Sequence, residues 1–330
     1  MATRRPVILI DLPPHHRRSF LDDELVSRLA AVGEVRDLDR EWSGPDLRLA
    51  ADAVVTGWAS KRLPDRLADA DRLRLVAHTG GTVRFLVPRR LIDAGVTVTQ
   101  TSSAMAPAVA ELCLVQTITL LRRLPAIGER MRQRDWSGAI AIPPGRSLQG
   151  MHVGVIGASR VGRAYIAAVR ALGGVVSVYD PYLADADARR MGVKRAGLGE
   201  LLAGCPVVAL HAPVTEATRG MLDARRLATI ADDGILINTA RSALIDTAAL
   251  VAELRSGRLS AALDVFDVEP LAQDDPLWSL PNVLLTPHRG AATAQTSTAM
   301  GEMAVTEIER FFRGEPPIAP VSASIYDTIA

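Results

Sequence analysis

From Met151 onward, short and largely apolar runs return six times, at Val153–Ile156, Val175–Tyr179, Val207–Leu210, Ile235–Asn238, Ala261–Val265 and Val283–Leu285. Stretches rich in Ala, Leu and Arg separate them. A strand apolar at every position must be covered on both faces, and helices between parallel strands supply that cover. The pattern therefore predicts an α/β fold with a mostly parallel sheet. A shorter series precedes it, with strands predicted at Val7–Ile10, Ala53–Thr56, Leu73–Ala77 and Val96–Thr99, and helices near Leu21–Val32, Asp65–Ala70 and Arg89–Ala94.

A long helix is predicted from Ala106 to Leu124, with Pro107 in its first turn, where a missing N–H costs nothing. Gln116 interrupts its apolar face. Asp135–Gly150, with Trp136, Pro143 and Pro144, reads as a projecting arm or linker, and a last helix at Thr293–Arg313 ends before Gly314 and Pro316-Pro317. The apolar stretch Ala104–Leu121 carries Glu111 and Gln116 and is read as falling short of a membrane span. The run Val7–Ile10 ends at Asp11, too early for a signal-peptide core.

At 330 residues the chain is long enough for about two domains. Lys and Arg number 38 against 37 Asp and Glu. So even a balance offers no field for a nucleic-acid backbone, and no nucleic-acid partner is expected. Cys113 and Cys205 lack the number and spacing of a disulfide framework or a zinc site, and no metal is expected. These features together predict a soluble, cytoplasmic protein with no membrane partner.

Val153-Gly154-Val155-Ile156-Gly157-Ala158-Ser159-Arg160-Val161-Gly162 lies where a strand should turn into a helix. Gly157 permits the tight turn, Gly162 lets helix and strand pack closely, and amides at the helix start face a pyrophosphate. The next predicted strand ends in Asp180, placed to accept hydrogen bonds from ribose hydroxyls and to repel a 2′-phosphate. That favours NAD over NADP. Ser159 departs from the usual middle glycine, and its Cβ makes close approach of a phosphate harder.

Three polar segments each follow a predicted strand, at the edge where open α/β sheets bind ligands. They are Asn238–Arg241, Asp264–Pro270 and Thr286–Gly290. Arg241 offers a planar charged fork for a carboxylate. His288 can exchange a proton near neutrality, and Glu269 beside it would steady the ring.

With these segments in place, residues 150–295 resemble the D-isomer-specific 2-hydroxyacid dehydrogenase family, and weaker similarity covers nearly the whole chain. The similarity runs through residues 153–163, His-Ala-Pro-Val-Thr-Glu-Ala-Thr-Arg-Gly at 211–220, Asn-Thr-Ala-Arg-Ser at 238–242, Asp-Val-Phe-Asp-Val-Glu-Pro at 264–270 and Thr-Pro-His-Arg-Gly at 286–290. Ser159 and Ser242 stand where that family usually has glycine, and Thr82–Phe85 departs from its usual residues.

The resemblance implies two Rossmann/flavodoxin-like doubly wound domains with a cleft between them. Residues 1–101 with 291–330 would form the substrate domain and 102–290 the NAD domain. It implies an NAD-dependent oxidoreductase that interconverts a small 2-oxo acid and a D-2-hydroxy acid, with Arg241 binding the carboxylate and C2 oxygen, His288 as acid/base and Glu269 tuning it. NAD would be lined by Gly157, Ser159, Arg160, Val161, Gly162, Asp180, His211, Ala212, Pro213, Thr218, Thr239, Ala240, Arg241, Asp264, His288 and Gly290, with Asp264 near the nicotinamide amide. Thr79, Gly80 and Gly81, in the 77–82 loop, would join Arg241 and His288 in binding substrate. The resemblance further implies a homodimer through the NAD domains, with the 125–145 arm crossing between subunits.

Three alternatives remain open: a formate-oxidising relative, disfavoured because Glu269 rather than Gln faces the histidine; a phosphite-oxidising relative; and a non-catalytic NAD(H)-sensing corepressor. The short stretch after His288 argues against an appended regulatory domain.

Overall fold

The computed structural model describes residues 4–39 and 46–326. Two compact units divide the chain, Met1–Met105 with Ala292–Ala330, and Ala106–Ala291.

The first unit holds a five-stranded parallel sheet, built from β1 (Val7–Asp11), β2 (Glu34–Asp37), β3 (Ala53–Thr56), β4 (Leu75–His78) and β5 (Thr97–Gln100), in the order β2-β1-β3-β4-β5. That is the flavodoxin-like order. Successive residues of β1 serve opposite faces, Val7 and Leu9 one core and Ile8 and Ile10 the other, the period-two rule applied to a sheet covered on both sides. The helix Ala294–Phe312 brings Met300, Ala304, Val305 and Ile308 to the second of these cores.

The second unit carries seven parallel strands: β6 (His152–Ile156), β7 (Val175–Tyr179), β8 (Lys194–Arg195), β9 (Val207–Leu210), β10 (Gly234–Asn238), β11 (Leu259–Leu263) and β12 (Val283–Leu285). Their order is β12-β11-β10-β9-β6-β7-β8. The chain leaves β6 in one direction through β7 and β8, then restarts on its other side at β9. The carboxyl ends of β6 and β9 therefore flank the point where strand order reverses, the place where such sheets bind ligands.

Several expectations change. The strand β2 is an addition, because its sequence, Glu-Val-Arg-Asp, lacks an apolar run; an edge strand with a mostly exposed burial pattern does not need one. No helix forms at 65–70. There the Asp71 carboxylate accepts from the Ala68 amide at 2.7 Å, a local bond that competes with helix. The long helix runs Ser102–Leu121, so Pro107 lies inside it, where its missing N–H leaves a carbonyl of the preceding turn without its donor. Ala104 and Met105 in its first turns pack with the first sheet, which sets the unit boundary there. Arg123 turns left-handed at φ 55°, ends that helix and starts another, Leu124–Arg132. The 135–150 excursion itself contains the helix Trp136–Ala141, capped by Asp135.

By length and composition the helix Ser102–Leu121 is apolar enough to cross a membrane, contrary to the reading that Glu111 and Gln116 shorten it too far. Ala110, Cys113 and Leu121 of this helix pack into the core of the second sheet, so it behaves as the core helix of an α/β domain.

Candidate active site

At the end of β6 the backbone turns sharply at Gly157, with φ 98°. A Cβ there would sit 2.6 Å from the Ala212 amide nitrogen, and one at Gly162 would sit 2.2 Å from the Gly157 carbonyl. Both positions require glycine. Ser159 does not, since its φ of −63° and ψ of 177° are ordinary extended backbone. Its hydroxyl accepts from the Gly162 amide at 3.2 Å and caps the helix Arg160–Ala171. The serine that departs from the glycine pattern therefore serves as an N-cap, a residue type favoured in that place. Arg160 and Val161 form the first turn of this helix.

Asp180, just past β7, accepts from the Ala158 amide at 2.7 Å and the Tyr182 amide at 2.8 Å. Its carboxylate is thus held beside the glycine turn, with lone pairs left over for ribose hydroxyls. Across the reversal point, His211 follows β9 and its amide donates to the Ile156 carbonyl at 2.7 Å. His211 is buried, with Cys113 Sγ 3.8 Å from Nε2. Thr218 closes the loop after Pro213, donating to the Pro213 carbonyl at 2.6 Å and accepting from the Thr215 amide at 2.8 Å. This places Thr218 as a brace for the Ala212–Pro213 segment.

The fit to a dinucleotide is testable on three features of this crevice. Gly157 and Gly162 form a cradle that any Cβ would fill, Asp180 is fixed at its rim, and Thr239 Oγ1 is buried beside the Cys113 thiol, with no full hydrogen bond among the described residues. An under-bonded hydroxyl beside a glycine cradle suits a polar ligand. The residues present fit the group.

The reactive side chains exit three adjacent strands. Asn238 pairs with Leu263, and Leu263 with Leu285, in parallel register. Asp264 follows Leu263 directly, and Arg241 and His288 lie three residues past Asn238 and Leu285, on strands about 4.8 Å apart. Asn238 closes its own turn, accepting from the Ala240 amide at 3.0 Å and donating to the Arg241 carbonyl at 2.9 Å. The Arg241 guanidinium donates to the Ala240 carbonyl at 2.6 Å.

His288 Nδ1 lies 2.7 Å from Glu269 Oε2. The other Glu269 oxygen accepts from the Phe266 amide at 3.0 Å, which fixes the carboxylate. The histidine side chain is about half exposed, and the bond to Glu269 occupies its Nδ1. His288 has φ 52°, left-handed for a residue with a Cβ, a conformation that costs roughly 1–2 kcal/mol. Asp264, almost wholly buried, holds the segment in that shape. It accepts from Thr286 Oγ1 at 2.5 Å, from the Arg289 amide at 2.8 Å and from the Gly290 amide at 2.8 Å.

Sequence reasoning missed Gln116. It registers there only as a polar break in an apolar helix face; in the structure Nε2 donates to Thr286 Oγ1 at 3.1 Å.

In the first unit, the 77–82 loop leaves β4. Thr79 donates to the Thr56 carbonyl through both its amide and its hydroxyl, at 2.8 and 2.9 Å, and the Gly80 carbonyl accepts from the Thr101 amide at 2.8 Å. A Cβ at Gly80 would meet His78 Nε2 at 2.3 Å, so this position too needs glycine. Gly81 is buried beside it. Trp58 and Phe85 stack at 5.9 Å nearby, 41% and 39% exposed.

Burial pushes the imidazoles of His78 and His211 down to about 3. Both are neutral in the folded chain, whereas the unfolded chain protonates them near 6.5. As pH falls from 6.5 toward 3 the unfolded state binds more protons, so stability decreases, by at most about 1.4 kcal/mol per pH unit for each histidine. Urea titrations at pH 7 and pH 5 check this, with His78→Asn expected to show the shallower loss. An equal loss in both chains would be the contrary result.

A profile of the D-isomer specific 2-hydroxyacid dehydrogenase, NAD binding domain, matches residues 114–290. D-3-phosphoglycerate dehydrogenase of Methanocaldococcus jannaschii is 31% identical over 89% of this chain and 56% of its own length, so the chain spans little more than half of that relative. Hydroxypyruvate reductase of Thermotoga maritima is 31% identical, covering 79% of this chain and 84% of that protein. The crystal structure of the TT0316 protein from Thermus thermophilus superposes with a TM-score of 0.81 at 30% identity, covering 96% of this chain and 99% of that one. With its two parallel α/β sheets, its glycine turn and its Arg, Glu and His at neighbouring strand ends, the chain belongs to the D-isomer-specific 2-hydroxyacid dehydrogenase family.

Proposed function

We propose that the protein is an NAD-dependent oxidoreductase that interconverts a small 2-oxo acid and its D-2-hydroxy acid, with His288 as the acid/base. The observation that carries this reading is the 2.7 Å pair between His288 Nδ1 and Glu269 Oε2 at the end of β12, in the sheet that also bears the glycine turn. Pure nucleotide sensing has no need of a steadied proton donor.

In this reading the amides following Gly157 and the start of the helix Arg160–Ala171 hold the pyrophosphate. Asp180 takes the ribose hydroxyls and repels a 2′-phosphate, which favours NAD over NADP. When bound, the nicotinamide supplies the hydride chemistry. Glu269 fixes the ring's orientation through Nδ1, so that Nε2–H is the proton delivered to the oxygen on C2. Arg241 exchanges its bond to the Ala240 carbonyl for the substrate carboxylate and the growing alkoxide, where a fixed charge is most effective. In the first unit the Thr79 amide is bonded to the Thr56 carbonyl, so a carboxylate nest in the Thr79–Gly81 segment is left to the Gly80 and Gly81 amides. Trp136 and Ile140, both more than half exposed on the arm, support a homodimer through the NAD domain.

The experiment is NADH oxidation with glyoxylate, hydroxypyruvate and phenylpyruvate, repeated with NADPH, and chiral analysis of the product. Turnover with NADH in preference to NADPH and a D-configured product are expected. Tight NADH binding with no turnover across the panel would instead favour a sensor.

A further inference from the structure

Gln116 is almost wholly buried near the C-terminal end of the helix Ser102–Leu121, beside the buried Thr117. Burying an amide side chain in such a place is costly unless it is bonded. Its Nε2 donates to Thr286 Oγ1 at 3.1 Å, and Thr286 Oγ1 in turn donates to Asp264 Oδ1 at 2.5 Å. Asp264 also receives the amides of Arg289 and Gly290, both at 2.8 Å. Among the described residues each of these three groups donates to the Asp264 carboxylate. A hydroxyl has a single proton. With that proton given to Asp264, the threonine oxygen is left as an acceptor, and Gln116 Nε2 donates to it. Were the amide turned the other way, Oε1 would compete with Asp264 for the same proton. Gln116 Nε2 and Asp264 thus hold the Thr286 hydroxyl between them, while Gln116 Oε1 is buried without a hydrogen-bond partner among the described residues.

The two Asp264-bound amides lie immediately after His288, and Thr286 lies two residues before it, with its carbonyl accepting the His288 amide at 3.0 Å. The network brackets a histidine held at φ 52°. We propose that Gln116 is a positioning residue for His288, acting through Thr286 and Asp264 to hold the left-handed segment 286–290 in the shape that presents the imidazole. This rests on the proposed acid/base function of His288 and adds the group that sets its geometry. Gln116 bonds to Thr286 rather than to His288 itself, so its effect passes through the threonine hydroxyl. A carboxylate that loses one of three donors relaxes toward the remaining two, and the loop relaxes with it.

The test compares Gln116→Leu, Thr286→Val, Thr286→Ser and the double variant Gln116→Leu/Thr286→Val in the full chain. Two readouts are taken: hydrogen exchange of the Arg289 and Gly290 amides without substrate, and kcat, KM and NADH affinity. Gln116→Leu and Thr286→Val should each speed exchange of those two amides several-fold. Each should lower kcat about 10-fold with NADH affinity unchanged, since a displacement of 1 Å costs about 100-fold. Thr286→Ser keeps the hydroxyl and should restore both. Because the two residues act in series, the double variant should be no worse than Thr286→Val alone. Additive losses, no rescue by serine, or unchanged exchange in Gln116→Leu would each overturn the proposal. Failure of the parent chain to reduce any 2-oxo acid would sink the proposed function instead. The exchange data would still decide whether Gln116 holds the loop.

Discussion

His288→Asn should lower kcat for 2-oxo acid reduction by about 10²–10⁴-fold, the usual contribution of a positioned acid or base. NADH affinity should stay within about twofold, since the turn at Gly157 and the rim at Asp180 are untouched. Asparagine suits the site conformationally, because it tolerates the left-handed region that residue 288 occupies at φ 52°. The substitution therefore removes the proton carrier without forcing the loop to move, and single-turnover kinetics with fluorescence titration of NADH separate the two effects. A rate that survives would remove His288 from the acid/base role and return the Glu269 pair to a structural one.

Arg241→Lys should be nearly as damaging. The lysine keeps the charge but loses the planar fork that grips a carboxylate through two parallel bonds. An expected loss in kcat/KM of about 100-fold corresponds to about 2.7 kcal/mol of transition-state stabilisation. Most of it should fall on KM if Arg241 holds the substrate equally throughout, and on kcat if it acts on the growing alkoxide. Steady-state kinetics on the best substrate of the panel distinguish these, and a change below threefold would argue that the guanidinium stays on the Ala240 carbonyl, where it donates now.

Much of this molecule is legible without coordinates. The apolar runs at 153–156, 207–210 and 235–238 are strands because no other element is apolar on both faces for so few residues. Gly157 and Gly162 announce a backbone that must come close to something, and Asp180 follows where a ribose ligand belongs. Other features resist such reading for identifiable reasons. The edge strand Glu34–Asp37 has no buried face to mark it. Pro107 looks like a helix start because that is where proline is cheapest, yet packing of the preceding turns on the first sheet extends the helix past it. Thr218, assigned to the nucleotide, spends its hydroxyl closing a local loop. Ser159 looks like a steric fault and is a helix cap.

Residue type and spacing alone decided that the chain forms parallel sheets covered on both sides, that one of them opens in a glycine turn, and which polar residues stand at strand ends. Periodicity is a local property, and it needs only neighbours along the chain. Which strand lies beside which is settled by closing the whole sheet, with every backbone group paired and every apolar face covered. Only that step brings Glu269 to His288, and Gln116 to a threonine 170 positions away.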